Sequence, residues 1–338
     1  MRAMVMRTVV SGLAGSPLVM EERDTPRALA PFDVVVRVAA AGVCRTDLHL
    51  LTGEMDAPLP LILGHENAGV VHEVGSSVTT VAVGDSVICF PFVSDGLSAQ
   101  ERAGLDTDAP GRATPGITVD GGYADYLLTN ERSMLKVPTN SDLAPLATLT
   151  DAGLAAYRAC KKAAALVRPG DTVVIFGVGG LGHIAVQTIR ALSPARVVAV
   201  DTNPAARTLA RDCGADESVA PDDLHRAVPR GARACLDFVG ADVTARRGVE
   251  TLAFGGAYFA VGVGGTITAS LSDVVVGERR IEGVYVGTYT DLVEVAELAT
   301  SGRLAPRVVR YPLEAANDAL RDLASSSFLG RAVLEPMP

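Results

Sequence analysis

Residues 171–192, DTVVIFGVGGLGHIAVQTIRAL, read as an apolar strand, a tight glycine turn and a helix, and this stretch decides the fold of half the chain. The Gly177-x-Gly179-x-x-Gly182 spacing suits a pyrophosphate. Gly177 permits the turn, Gly179 lets the backbone approach the phosphates, and Gly182 lets the helix pack closely on the strand. The helix start adds free N–H groups and the positive end of its dipole. In a chain with 34 glycines such a pattern is weak alone, and an ordinary loop would satisfy it. Context decides: the next apolar run, ARVVAV, ends at Asp201, nineteen residues after Gly182, where a carboxylate accepts hydrogen bonds from the adenosine ribose hydroxyls of a dinucleotide. Asp201 would also repel the 2′-phosphate of NADP. No arginine follows at once in DTNPAAR, so NAD is favoured, although Arg207 could in principle reach over.

Around this unit the strand-like runs DTVVIF, ARVVAV, ACLDFV and GAYFAVGV alternate with helical stretches such as AGLAAYRACKKAAALV. That rhythm predicts a doubly wound parallel sheet. Upstream, from Val34 to Val81, short β-branched runs broken by Gly and Pro predict mostly strands and turns, with few helical periods. The Gly-, Asp-, Pro- and Ala-rich segment between Pro91 and Gly122 reads as a surface lobe, because strand character resumes in YADYLLT and MLKVP. After Gly283–Thr288 come a helical DLVEVAELATSG, then RVVRYPL, a second helix near AANDALRDLA, and RAVLEP. These last residues are too few for a domain and are expected to pack back on the first half. The expected division is therefore an α/β protein with residues 1–150 and 288–338 in one β-rich domain and residues 151–287 in the other.

With 338 residues, at roughly 150 per domain, two domains with sizeable cores are expected. Apolar residues at 48% and charged residues at 20% are ordinary for a globular enzyme. The net charge of −9 argues against nucleic acid or an anionic membrane as partner and for a small molecule. The five cysteines (44, 89, 160, 213 and 235) are odd in number and widely spaced, which fits a reducing cytosol; all but Cys44 read as small core residues. MRAMVMRTVVSGLAG has no apolar stretch of signal-peptide length, and no run of about 18 apolar residues occurs anywhere.

A second cluster carries chemistry. GVCRTDLHLLTG and LILGHENAGVV bring Cys44, Asp47, His49, His65 and Glu66 within 23 residues. Thiolate, imidazole and carboxylate are the ligand types of zinc, and a catalytic zinc takes three of them and keeps a fourth position open. A lone Cys and a lone His are equally ordinary core residues, and local spacing does not locate a third ligand.

Gly-His-Glu at 64–66, Cys-Arg-Thr-Asp-x-His at 44–49 and the downstream GVGGLG resemble the zinc-dependent alcohol dehydrogenases of the medium-chain dehydrogenase/reductase family, over nearly the whole chain. The resemblance implies a GroES-like catalytic domain split around a Rossmann domain, with the active site in the cleft between them. It implies one catalytic zinc held by Cys44, His65 and Asp151, the last falling in LTDAGLAAYRA where many members have Cys; the alternative for Asp151 is a helix N-cap. It makes Glu66 a carboxylate that can approach the metal transiently, and Asp47 the acceptor of the ligand imidazole's second N–H. Thr46 becomes the hydroxyl that hydrogen-bonds the alcohol and opens a proton relay through the nicotinamide ribose, with His49 as its outer base. Arg45 and Arg331 match basic residues flanking the cofactor pyrophosphate. Gly180, Leu181, Val239, Val261 and Val263 fall with the other cofactor-binding positions, and Leu48 and Phe90 fall near the substrate pocket.

The sequence departs from that pattern in the lobe. The positions matched to the four cysteines of a second, structural zinc are Ser94, Leu97, Gln100 and Asp108, so no structural zinc is expected. The resemblance further implies a homodimer or homotetramer, with Thr266–Tyr285 as the run that could supply a joining edge strand. The competing readings are a zinc-free quinone or enone reductase of the same superfamily, and a non-catalytic nucleotide-binding protein. On the leading reading Asp201→Ala weakens NAD binding and relaxes the rejection of NADP, measured by titrating both cofactors; an unchanged preference would count against Asp201.

Overall fold

The strand Thr172–Phe176 lies inside a six-stranded parallel sheet whose order is Glu217–Val219, Arg196–Val200, Thr172–Phe176, Ala232–Asp237, Leu252–Ala260 and Arg280–Gly283. Val173, Val174 and Ile175 are wholly buried, as β-branched residues are when helices cover both faces of a sheet. The chain runs outward from Thr172–Phe176 in one direction and then, from Ala232–Asp237, in the other. The order therefore reverses between these two strands, and the glycine turn opens at the carboxyl end of the first. A computed structural model describes residues 1–13 and 15–336 of the chain, and they form two compact units. This sheet belongs to the unit of Gly153–Gly287 with Ser301–Ala305; the other comprises Met1–Ala152, Thr288–Thr300 and the chain from Pro306 on.

In that other unit, the 11-residue strand Asp33–Val43 organises a seven-stranded sheet. It pairs with Glu66–Val74 over most of its length, with Tyr126–Asn130 along its first half, and with Arg331–Glu335 along its last residues. The register matters for the chemistry. Gly42 stands opposite Glu66 on one side and Val333 on the other, and a Cβ on Gly42 would fall 2.0 Å from Glu66 Oε2. Glycine there lets the Glu66 carboxylate lie over the strand toward Arg331 on the C-terminal strand, with which it pairs. The core beneath joins Met4, Met6, Leu50, Leu51, Leu61, Ile62 and Leu63 to the late residues Leu313, Leu320 and Leu334, so the last segments do pack back on the first half.

The expectation of strands and turns between Val34 and Val81 needs one correction. The stretch after Val43 is helical: Arg45–Thr52 form a helix, because Asp47 accepts the Cys44 N–H at 2.8 Å and Gly53, at φ 76°, ends it. Leu48, expected at a substrate pocket, lies with Leu51 in the apolar core of this unit at 8% exposure. Thr266–Tyr285 is not one strand, since Leu271–Val276 are helical and only Arg280–Gly283 pair, at the sheet's edge. Among the described residues no helix is long and apolar enough to cross a membrane.

The first part of the lobe is ordered by one carboxylate. Glu101, buried in the short helix Ala99–Arg102, accepts hydrogen bonds from the Ser94 and Ser98 hydroxyls and from the Gly96 and Ser98 N–H groups. The Ser94 and Ser98 bonds hold its pKa down at about 2, against a small opposing effect of burial. A carboxyl depressed in the folded state stabilises above its unfolded pKa and loses that contribution as it protonates. Glu101→Gln is therefore expected to raise amide exchange across the lobe, at a cost of about 2 kcal/mol. The difference from the parent should fade as pH falls from about 4.5 toward 2; a pH-independent difference would show that the charge is not responsible.

Candidate functional site

The catalytic candidates converge within the first unit. Cys44 ends the long strand's path and caps the helix Arg45–Thr52, while His65 follows the short strand Leu61–Ile62 through Gly64, whose φ is 98°. Asp151 lies in a π-helical turn, Leu149–Gly153, immediately before the helix Leu154–Ala164. It caps nothing there, because its side chain turns to the cluster: Asp151 Oδ2 lies 3.4 Å from His65 Nε2 and 3.6 Å from Cys44 Sγ. Such wide turns recur at functional sites because they swing one side chain out of the regular helical ladder.

Donor atoms of Cys44, His65, Glu66 and Asp151 all lie within 4.8 Å of one another, the one such group among the described residues. Ligands in a tetrahedron around zinc, with bonds of about 2.0–2.3 Å, stand about 3.3–3.7 Å apart. The observed separations match that spacing. His65 Nε2 and Glu66 Oε2 are buried with no hydrogen-bond partner, as are His65 Nδ1 and the Asp47 Oδ1 that faces it, and a cation in the pocket would engage the first two. The donor set of thiolate, imidazole and carboxylate is that of a zinc site.

The electrostatics agree. Burial disfavours a charged His65, yet Asp47 and Asp151 outweigh it and push its pKa well above the ordinary value, so this pocket stabilises positive charge. Burial likewise works to raise Asp151, but His65 prevails and holds it low. Glu66 is raised, because complete burial exceeds the pull of Arg331. Asp47, fully buried, presents Oδ1 to His65 Nδ1 at 3.4 Å. That leaves Nε2 to the metal side.

The remaining residues divide. Thr46 Oγ1 lies 3.7 Å from Cys44 Sγ. His49, three residues on along the same helix, is partly exposed, and its Nδ1 meets Glu54 at 2.7 Å. Arg45 is exposed, whereas Arg331 is 3% exposed and engaged with Glu66 rather than held out to solvent. Phe90 packs edge-on against Phe92 and Tyr289, with ring centroids 5.5 and 5.8 Å away. Sequence reading missed Tyr123, whose hydroxyl donates to Asp47 at 2.7 Å.

The nucleotide candidates gather in the second unit. Gly177 takes φ 83°, a Cβ on Gly182 would strike the Gly177 carbonyl at 1.8 Å, and Gly179 has open space around it. Gly180 and Leu181 complete the turn into the helix Gly182–Leu192. Asp201 stands at the end of Arg196–Val200, with Oδ2 accepting from Val178 N–H and Oδ1 from Asn203 N–H, both at 2.8 Å. Arg207 is tied to the Asp201 and Thr202 carbonyls at 2.8 and 2.9 Å, which draws it away from the carboxylate's free side. Val239 and Val261 follow the carboxyl ends of Ala232–Asp237 and Leu252–Ala260, and Val263 is 88% exposed.

Comparisons with known proteins now bear on the site. Residues 30–139 match the alcohol dehydrogenase GroES-like domain, and residues 180–301 match the zinc-binding dehydrogenase domain. The chain is 34% identical to an alcohol dehydrogenase of Geobacillus stearothermophilus over 98% of its own length and 99% of the relative's. It is 34% identical to an NAD-dependent alcohol dehydrogenase of Sulfolobus acidocaldarius, with the same coverage. The crystal structure of the Aeropyrum pernix alcohol dehydrogenase superposes with a TM-score of 0.93 at 39% identity, covering 99% of this chain and 100% of that one.

If Cys44, His65 and Asp151 share one metal, Cys44→Ser and Asp151→Ala each lower bound zinc and activity together while circular dichroism stays unchanged. Retention of full zinc content and activity by Cys44→Ser would remove the assignment.

Proposed function

The chain belongs to the zinc-dependent alcohol dehydrogenases of the medium-chain dehydrogenase/reductase family and is a zinc-dependent alcohol oxidoreductase; from that premise we propose that it transfers hydride between an alcohol and NAD with one zinc per chain. The observation that carries this reading is the set of Cys44, His65 and Asp151 at zinc-ligand separations, with His65 Nε2 unpartnered. NAD over NADP is supported by Asp201, held by two backbone N–H groups, and by the withdrawal of Arg207. The absence of cysteine from Ser94, Leu97, Gln100 and Asp108 supports a single zinc.

Zinc, when bound, acts as a Lewis acid on the oxygen of an alcohol or carbonyl, and NAD, when bound, exchanges the hydride. The chain's residues do the rest. Cys44, His65 and Asp151 would hold the metal, and Asp47 fixes the His65 tautomer through Nδ1. Thr46, at the first turn of its helix and beside Cys44, would accept the hydrogen bond of the substrate hydroxyl and pass its own proton on, through the nicotinamide ribose, toward His49. His49 lies three residues further along that helix, partly exposed, and passes the proton to water; Glu54 on Nδ1 orients its ring. Phe90, with Phe92 and Tyr289 behind it, offers a stiff apolar wall suited to an uncharged alcohol or ketone. Glu66 stays paired with Arg331 and keeps one oxygen free toward the metal site.

Two further parts of the proposal concern the cell. Five free cysteines suit a reducing cytosol. A homodimer or homotetramer is supported by the edge strand Arg280–Gly283 and by the neighbouring helix Leu271–Val276, whose Leu271, Val275 and Val276 are more than two-thirds exposed.

The first test is elemental analysis of protein purified without added metal, followed by alcohol oxidation with NAD and with NADP. The expected result is one zinc per chain and turnover that prefers NAD and is abolished by chelation. Two zincs would show that the lobe binds metal through other ligands. A folded chain that binds NAD but holds no zinc would overturn the assignment.

A further inference from the structure

We infer that Tyr123 is a positioning residue of the metal centre, acting through Asp47 on two of the three ligands; the inference rests on the zinc reading above. Tyr123 is fully buried, and its hydroxyl donates to Asp47 Oδ2 at 2.7 Å, with the Gly42 carbonyl more distant at 3.4 Å. The same Asp47 oxygen accepts the Cys44 N–H at 2.8 Å, and the other faces His65 Nδ1 at 3.4 Å. One carboxylate thus sets the backbone of Cys44 and the ring of His65. With its rotation about the Cβ–Cγ bond fixed only by Cys44, Asp47 would be free to turn its second oxygen away from the imidazole; the phenol supplies a second anchor.

Tyr123 also shapes the turn that carries His65. Its N–H donates to the Leu63 carbonyl at 2.9 Å, and its own carbonyl accepts from Met4 N–H at 2.8 Å. Its ring lies against Gly64, where an added Cβ would come within 2.5 Å of Tyr123 Cδ1. Gly64 is the residue before His65 and takes φ 98°, a conformation glycine adopts without strain. Ring and hydroxyl therefore act at two points: the ring fixes where the backbone delivers His65, and the hydroxyl fixes the carboxylate that aims it. A buried phenol needs an acceptor in any case; what singles this one out is that its acceptor, Asp47, also holds the Cys44 N–H and faces His65.

The test uses the full chain loaded with zinc, and compares the parent with Tyr123→Phe, which keeps the ring and removes only the hydroxyl. Competition with a coloured chelator should show zinc dissociation constants raised about tenfold to a hundredfold, and the absorption bands of the cobalt-substituted protein should shift as His65 reorients. Asp47→Asn keeps the phenol and examines the same link from the other end. It should also weaken zinc, and the double variant should lose little beyond the worse single variant, because both act through one group. The inference is overturned if Tyr123→Phe retains parental zinc affinity and cobalt spectrum and is merely less stable by the same amount with and without metal. It is overturned equally if Asp47→Asn leaves zinc affinity intact, or if the two effects simply add. Should the parent itself take up no zinc, the underlying functional reading falls with it, whereas equal affinities in parent and variant defeat this inference alone.

Discussion

Three carboxylates share one small volume of the first unit: Asp47 and Glu66, both wholly buried, and the largely covered Asp151, beside the buried thiol of Cys44. Such a concentration of negative charge costs several kcal/mol per ion unless it is paired, so the surrounding fold is constrained to supply cations and donors. One guanidinium, Arg331, is present and 3% exposed. It offsets only part of this charge and leaves the pocket net negative, a setting suited to a cation; the raised pKa of His65 expresses the same imbalance. Much of the first unit can be understood from this need. The C-terminal strand returns to Asp33–Val43 in the register that sets Ala332 opposite Val43, which delivers Arg331 to Glu66. Gly42 leaves the passage through which that pair meets, and the long strand between them is what holds the two termini of the unit together.

Where the first unit gathers charged side chains, the second offers backbone at the turn proposed to receive the cofactor's phosphates. Gly177 and Gly182 allow the helix to begin almost on top of the strand, so the first N–H groups of Gly182–Leu192 face outward with the helix dipole behind them. Asp201 is committed twice over to backbone N–H groups, which fixes the direction in which the carboxylate's remaining lone pairs point. The carboxylate on which the proposed preference for NAD rests is therefore a rigid group.

The residues differ in how legible they were. The parallel sheet was readable because its strands are short, apolar and separated by helices of the expected period, and the glycine spacing is a local pattern with a local cause. Cys44, His65 and Asp47 were readable as chemistry, but only resemblance to a family singled out Asp151, which lies 86 residues beyond His65 and reaches the cluster from an irregular turn that no periodicity signals. The helix Arg45–Thr52 was missed because eight residues between strands carry little period, although Asp47 at its first turn and Gly53 just past its end are both capping signals. Tyr123 could not be found by spacing at all: its role depends on the chain returning from the lobe beside Leu63, a tertiary fact. Arg331 was matched to a basic residue flanking the cofactor pyrophosphate, and its burial against Glu66 follows from a strand register that no local pattern signals.

The lobe has a charged centre of its own: Glu101 draws donors from Ser94, Gly96 and Ser98 around one carboxylate, within eight residues. Its reach is limited. The carboxylate gathers only the first part of the lobe, whereas the later part is held by a separate contact, in which Asp106 accepts the Tyr289 N–H at 2.9 Å. Tyr289 in turn packs on Phe90 and donates its hydroxyl to the Met134 carbonyl at 2.8 Å. The second anchor therefore links the lobe to the aromatic wall proposed to meet substrate. A change in lobe order would be transmitted to that wall through Asp106 and Tyr289, while the metal ligands, held by Asp47 and the sheet register, stand on a separate set of contacts.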